Sequence, residues 1–193
     1  MKLYQFKGSS FSEKIRRVLA YKGLKYEGID ASSGEKKEEL VRISGRGMVP
    51  VLVEEGVVIV DSTNIAQYLE ENYPDKPVYP KEPGLKGLTL LVEDWADEVL
   101  NRPVKPLALS HQKKRELSNE ERKKFIGQLG TCLDTLDAIL SAQEWLVAGR
   151  FTLADIAVSA QIWRTSAFPE GEAVARCPHL VRWKKRVEQI LGG

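Results

Sequence analysis

Four of the nine prolines in this chain fall within residues 74–84, PDKPVYPKEPG. Proline fixes φ and removes a backbone donor, so neither a helix nor a central strand runs through such a stretch. The stretch is a semi-rigid linker, and the texture of the sequence differs on its two sides. The expected boundaries are a first domain over residues 1–75, a linker over 76–84 and a second domain over 85–193.

The first part mixes short strands with helices. Residues 2–6 read as a strand. Residues 12–22 read as a helix, with Ile15, Val18 and Leu19 on one face and Gly23 as its stop. Residues 26–29 read as a second strand and 38–43 as a short helix. Residues 51–53 and 57–60 flank Glu54-Glu55-Gly56, a hairpin signal. Asp61 and Ser62 then cap a helix carrying Ile65, Ala66 and Leu69. The order is βαβα followed by ββα. Beyond the linker only helical patterns occur, over residues 85–100, 119–141, 152–166 and 178–191. The third is apolar around its whole circumference and is the expected core helix. Thr152-Leu153-Ala154-Asp155 before it is a capping box and reads as structural.

Composition narrows the function classes. Hydrophobic residues make up 42% of the 193, enough for a packed core. Lys plus Arg number 29 against 27 Asp plus Glu, interspersed along the chain, so neither a nucleic-acid nor a membrane partner is expected. No segment reaches the ~20 apolar residues that span a bilayer, and the N-terminus lacks a signal peptide's apolar stretch. Cys132 and Cys177 form no CxxC pair, and with only His111 and His179 beside them no metal site is expected. A cytoplasmic protein follows as the default.

Three segments carry candidate chemistry. Ser9-Ser10-Phe11-Ser12-Glu13-Lys14 lies between a strand and a helix. Backbone N–H groups at a helix start attract anions and stabilise a thiolate, and a serine hydroxyl there can donate to one. The same serines serve equally as N-caps. In Gly47-Met48-Val49-Pro50, a cis bond before Pro50 would offer the Val49 backbone to an extended peptide ligand. A trans bond, the commoner geometry, merely starts a strand. Asp61-Ser62-Thr63 offers hydroxyl and N–H donors to a carboxylate and Asp61 to an ammonium, besides its capping role.

In this order and spacing the signals resemble the cytosolic glutathione transferases. The resemblance spans the chain: strand–serine–helix, Val49-Pro50 at the third strand, Asp61-Ser62 after the hairpin, the proline-rich linker, Trp95-Ala96-Asp97, and Gly149-Arg150-Phe151-Thr152-Leu153-Ala154-Asp155-Ile156. It implies a thioredoxin-like α/β domain (βαβαββα) followed by an all-α domain. The segment at Ser9 is similar to the C-P-F-A/C-E-K/R segment of omega-type members, with serine in place of cysteine. Ser9 also matches the catalytic serine of delta- and theta-like classes. The double serine resembles the zeta class, which isomerises maleylacetoacetate. The chain's length is similar to that of short bacterial and cyanobacterial members. Two departures stand out: no proline at Ser10, and no cysteine at Ser9 or Ser12, so the chain supplies no thiol for disulfide exchange there. Tyr4 on the first strand reads as a sheet residue.

The resemblance implies glutathione as co-substrate and no metal. Ser9 is then the catalytic hydroxyl that donates to the glutathione sulfur. Ser10, Phe11, Lys36, Val49, Pro50, Asp61, Ser62 and Asp97 are the implied glutathione-binding residues. Val49 pairs with the cysteinyl backbone, Asp61 and Ser62 meet the γ-glutamyl end, Lys36 the glycine carboxylate and Asp97 the ammonium, across a dimer interface. Trp95, Leu107 and Trp163 are candidate walls for a hydrophobic electrophile, with ordinary helix packing as the other reading, above all for Trp163. A homodimer is implied by family habit. A glutathione transferase is the first functional expectation. A non-catalytic binding or assembly module and a glutathione-dependent isomerase or peroxidase are the alternatives.

Overall fold

The computed structural model describes residues 1–192. Residues Met1–Val78 and Tyr79–Leu191 form two compact units. Val78 and Tyr79, in the middle of the proline-rich stretch, are both buried.

The first unit runs β1 (Lys2–Gln5), α1 (Ser10–Lys22), β2 (Glu27–Asp30), α2 (Gly34–Ser44), β3 (Val51–Glu54), β4 (Val57–Val60) and α3 (Ser62–Asn72). This is the expected βαβαββα order. The strands form one mixed sheet in the order β2-β1-β3-β4. β1 pairs parallel with β2 across the α1 crossover and antiparallel with β3. The β3–β4 turn is Glu55-Gly56, both at positive φ (48° and 83°), as a two-residue hairpin turn requires. Alternation along the strands sets the two faces. Tyr4 and Val51 pack with Ile29, Ala31 and Leu40. Leu3 and Leu52, register partners on the other face, are fully buried, as are Ile15 and Leu19 of α1 and Ile65 and Leu69 of α3.

A buried lysine fastens the end of this unit. Lys22 closes α1, and its Nζ lies 2.7 Å from Glu70 Oε2 and 2.8 Å from the carbonyl of Tyr73, with the carbonyls of Asp75 and Lys76 also in reach. Glu70 Oε2 in turn accepts the N–H of Val78. The ammonium thus satisfies the carbonyl of Tyr73, the C-cap of α3, and two carbonyls of the segment that follows it. Lys22→Met strands a half-buried carboxylate and these carbonyls, and is expected to cost about 3 kcal/mol. Thermal melting checks this, and an unchanged midpoint contradicts it.

The second unit is helical: α4 (Pro83–Asp94), a π-helical segment (Trp95–Leu100), α5 (Asn101–His111), α6 (Asn119–Ala142), α7 (Leu153–Thr165), a 3-10 segment (Pro169–Arg176) and α8 (Pro178–Leu191). The pattern predicts an end at residue 100, but the helix continues to His111 despite Pro103 and Pro106. Asn101 N–H bonds the Ala96 carbonyl, five residues back. The return from five-residue to four-residue bonding drops a carbonyl from the ladder, in the first turn of α5 where Pro103 lacks an N–H. The 3-10 segment has no counterpart in the sequence reading. α7 is the core helix, buried from Leu153 to Ile162.

The Thr152–Asp155 box anchors α7. Asp155 is fully buried. Its Oδ2 accepts from Thr152 N (3.0 Å) and Thr152 Oγ1 (3.3 Å). Its Oδ1 accepts from Leu146 N (3.1 Å) and Trp183 Nε1 (2.8 Å). Burial pushes this carboxyl up, against the downward pull of its four donors. No helix is long and apolar enough to cross a membrane among the described residues, and no group of three His, Cys, Asp or Glu could hold a metal ion.

Candidate functional site

Ser9 is the N-cap of α1, with extended backbone (φ −92°, ψ 122°). Its Oγ accepts from Ser12 N at 3.3 Å. Among the described residues no acceptor takes its own proton. Capping uses the oxygen of this hydroxyl and does not engage its proton. Ser12 is fully buried, and its Oγ accepts the Phe6 N–H at 3.3 Å. Ser10 is also buried, and its Oγ has no hydrogen-bond partner.

One residue further on, Phe11 lines a cavity of about 160 Å³ with Arg46, Met48, Val49, Pro50, Asp61 and Ser62. Phe11, Val49, Pro50, Asp61 and Ser62 are all expected site residues, brought together from three connections of the first unit. Ser9 and Ser10 stand just before Phe11 and are not among the lining residues. The Val49-Pro50 peptide is cis. Val49 lies outside the ladder, which β3 enters at Val51.

Asp61 caps α3, its Oδ1 accepting from Thr63 N (2.9 Å) and Asn64 N (3.4 Å). Its backbone is at φ 77°, ψ 137°. A residue with a side chain rarely adopts this conformation, which costs on the order of 1–3 kcal/mol and is typical of ligand-binding positions. Asp61 itself stays exposed beside the buried Ser62.

Lys36 does not reach this cavity. Its Nζ is 2.7 Å from Glu39 Oε2, and it lines a separate hollow with Glu35, Glu38, Glu39 and Arg42. Tyr4 OH donates to the other Glu39 oxygen at 2.5 Å. Burial, then the hydrogen bond to Glu39, pushes the Tyr4 hydroxyl up to about 12. Lys36, then Tyr4, holds the Glu39 carboxyl below the usual range, and the same bond raises Lys36. Tyr4 is thus a sheet residue with its hydroxyl committed.

The remaining candidates lie in the helical unit. Trp95 and Asp97 sit on the π-helical segment and are half-buried. Leu107 is fully buried on α5, and Trp163 is half-buried near the end of α7. The helical unit has its own cavity, of about 830 Å³ and largely apolar, lined by His111, Phe168, Val174, Val181, Lys184 and Glu188 among others. Trp95, Leu107 and Trp163 are not part of its lining.

The sequence reading missed Arg46 and Met48, both of them exposed in the α2–β3 connection. The available signal was their place just ahead of Val49-Pro50.

Residues 3–77 match the family model for the glutathione S-transferase N-terminal domain, and residues 100–190 that for the C-terminal domain. The chain is 32% identical over 172 residues to a probable maleylacetoacetate isomerase of Caenorhabditis elegans, covering 86% of this chain and 79% of that protein. It is 26% identical over 171 residues to a stringent starvation protein A homolog of Haemophilus ducreyi, covering 85% and 74%. The crystal structure of a glutathione S-transferase from Rhodospirillum rubrum superposes with a TM-score of 0.84 at 23% identity, covering 97% of this chain and 87% of that one, a likeness of fold. The N-terminal match contains the residues that line the small cavity, the C-terminal match contains the Asp155 anchor, and the chain belongs to the cytosolic glutathione transferase superfamily.

Proposed function

We propose that the chain binds glutathione in the cavity of its first unit, ionises the thiol at the start of α1 and directs the thiolate to an electrophilic carbon. The observation that carries this reading is Ser9, which caps the helix through its oxygen and keeps its proton for another acceptor. A free thiol titrates near ~8.5, and each unit of lowering corresponds to about 1.4 kcal/mol. One hydroxyl and the N–H groups of a helix start suffice for a unit or two.

The roles follow from chemistry. The Val49 backbone pairs with the cysteinyl residue as an added strand. The hydroxyl and N–H of Ser62 suit the γ-glutamyl carboxylate, and the Asp61 oxygen that does not cap α3 suits its ammonium. The thiol proton leaves to solvent and the thiolate forms a carbon–sulfur bond. With chlorodinitrobenzene, chloride departs with the electron pair of its bond to carbon. The apolar electrophile is held by the helical unit, and the protein acts as a cytoplasmic homodimer. The exposed Leu88 and Leu91 of α4 give such a dimer an apolar contact.

A second reading is a glutathione-dependent isomerase. The Ser9-Ser10 pair and the identity to the nematode isomerase favour it. There the thiolate adds to an unsaturated carbon and is expelled after bond rotation.

Calorimetric titration with glutathione, followed by chlorodinitrobenzene in the same sample, tests the proposal. Saturable binding with conjugate formation supports it. Binding without conjugation favours the isomerase, and no binding leaves the non-catalytic module. Asp61→Gly separates the site from the fold. Glycine releases the strain of the positive φ and caps within a few tenths of a kcal/mol of aspartate. The variant is expected to melt at or above the wild-type temperature while needing several times more glutathione for saturation. Unchanged glutathione affinity in this variant contradicts a binding role for Asp61.

A further inference from the structure

The core helix α7 buries two polar side chains that the fold itself does not use. Arg164 is 8% exposed and Gln161, one turn before it, 1%. Arg164 Nε and Gln161 Oε1 are enclosed without a hydrogen-bond partner. Among the described residues neither side chain enters a hydrogen bond or ion pair. The other buried polar side chains of α7 are committed. Asp155 accepts from its four donors, Ser159 donates to the Ile156 carbonyl and Thr165 to the Ile162 carbonyl. A guanidinium keeps its proton, so burial leaves it charged, and a buried charge calls for a counter-ion. Burial pulls Arg164 down, and no carboxylate among the described residues offsets that.

We propose that Arg164 binds a carboxylate of the second substrate, so that the electrophile is an organic acid and not a neutral molecule; this rests on the reading of the chain as a glutathione transferase whose helical unit holds the electrophile. Arg164 follows Asp155 by nine residues, about two and a half turns, so the two project from opposite sides of α7. Asp155 takes the side of α8 through Trp183. Besides α8 and the 3-10 segment, α7 packs against α4, the π-helical segment and α5. The last two carry Trp95 and Leu107. A planar fork takes a carboxylate through two parallel bonds, and the Gln161 amide adds a donor beside it. The apolar body of the electrophile is left to the helical unit, and Arg164 selects its charge.

Chlorodinitrobenzoate, with its carboxylate para to the chlorine, and the methyl ester of the same acid are the probes. With either, the glutathione thiolate bonds to the ring carbon and chloride leaves with the electron pair of the broken bond. Each catalysed rate is divided by the uncatalysed rate with glutathione. The wild type should favour the acid about tenfold in kcat/KM. Arg164→Met should treat the two alike. Its melting temperature should stay at or above that of the wild type, because methionine fills the space and removes an unpaired charge. A preference that survives in Arg164→Met, or a wild type without one, overturns the assignment. So does a melting temperature several degrees lower in Arg164→Met, which would commit the guanidinium to the fold. If the wild type conjugates neither compound, the transferase reading falls, and calorimetric titration with the two compounds decides the assignment by itself. Tighter binding of the acid by the wild type, lost in Arg164→Met, upholds it, and equal binding of acid and ester by the wild type overturns it.

Discussion

Asp155→Ala is expected to remove about 4 kcal/mol of folding stability and to lower the melting temperature by roughly 10 °C. Four buried donors lose their acceptor at once: the backbone N–H groups of Leu146 and Thr152, the Thr152 hydroxyl and the indole N–H of Trp183. Each stranded donor costs about 1–3 kcal/mol. The loss is a large share of the roughly 5–15 kcal/mol that holds a typical domain together. Its position adds to its weight, because one carboxylate ties the start of the core helix α7 to the 146 region and to the centre of α8. Asp155→Asn keeps the acceptor for Leu146 and Trp183 but turns an amide donor toward the Thr152 N–H. It should fall about midway. Trp183→Phe removes a donor together with its bond and should cost less than Asp155→Ala. A midpoint for Asp155→Ala close to that of the wild type would show that water or local rearrangement satisfies these donors.

The second large effect is on chemistry. Ser9→Gly is expected to lower turnover at neutral pH by about 10- to 30-fold, while its melting temperature stays close to that of the wild type. Glycine caps a helix within a few tenths of a kcal/mol of serine, whereas alanine costs about 1 kcal/mol. Ser9→Gly thus removes the donor and spares the helix, and Ser9→Ala should show both losses. If the hydroxyl lowers the pKa of the bound thiol by one to two units, its removal cuts the thiolate fraction below that pKa by the same factor. The sign sets the pH dependence. Above about pH 9 the thiol is ionised with or without Ser9, so the deficit should close. A deficit independent of pH contradicts thiol ionisation as the role. Full activity in Ser9→Gly would transfer that role to Ser10, whose buried hydroxyl has no partner, or to the helix end.

Much of this was legible in the sequence, because the signals that carried it are local. Ile15, Val18 and Leu19 report one helix face, Glu54-Glu55-Gly56 a hairpin turn, and Thr152 with Asp155 a helix start. The grouping of Phe11, Val49, Pro50, Asp61 and Ser62 in one cavity follows from the order of elements, which brings the α1 start, the β3 entry and the α3 start together. What escaped the sequence depends on long-range partners or on a shift in bonding register. The helix over residues 101–111 was hidden by Pro103 and Pro106, because the π-helical segment that accommodates Pro103 leaves no local signature. Nothing local to Lys22 marks its partners, Glu70 and three carbonyls more than forty residues away. Lys36 and Arg46 are both surface cations by pattern. Only the structure shows that Glu39 holds the first and that the second stands at the cavity. The walls of an electrophile site were the least legible, since tryptophan and leucine at helical spacing pack a core as readily as they line a pocket.

Binding of glutathione and ionisation of its thiol are the two steps on which the proposed chemistry depends. The most direct measurement is the pH titration of bound glutathione, followed by the ultraviolet difference absorbance of the thiolate in the wild-type complex. An ionisation midpoint one to two units below the ~8.5 of a free thiol is expected. A midpoint at the free-thiol value, with glutathione demonstrably bound, would contradict it.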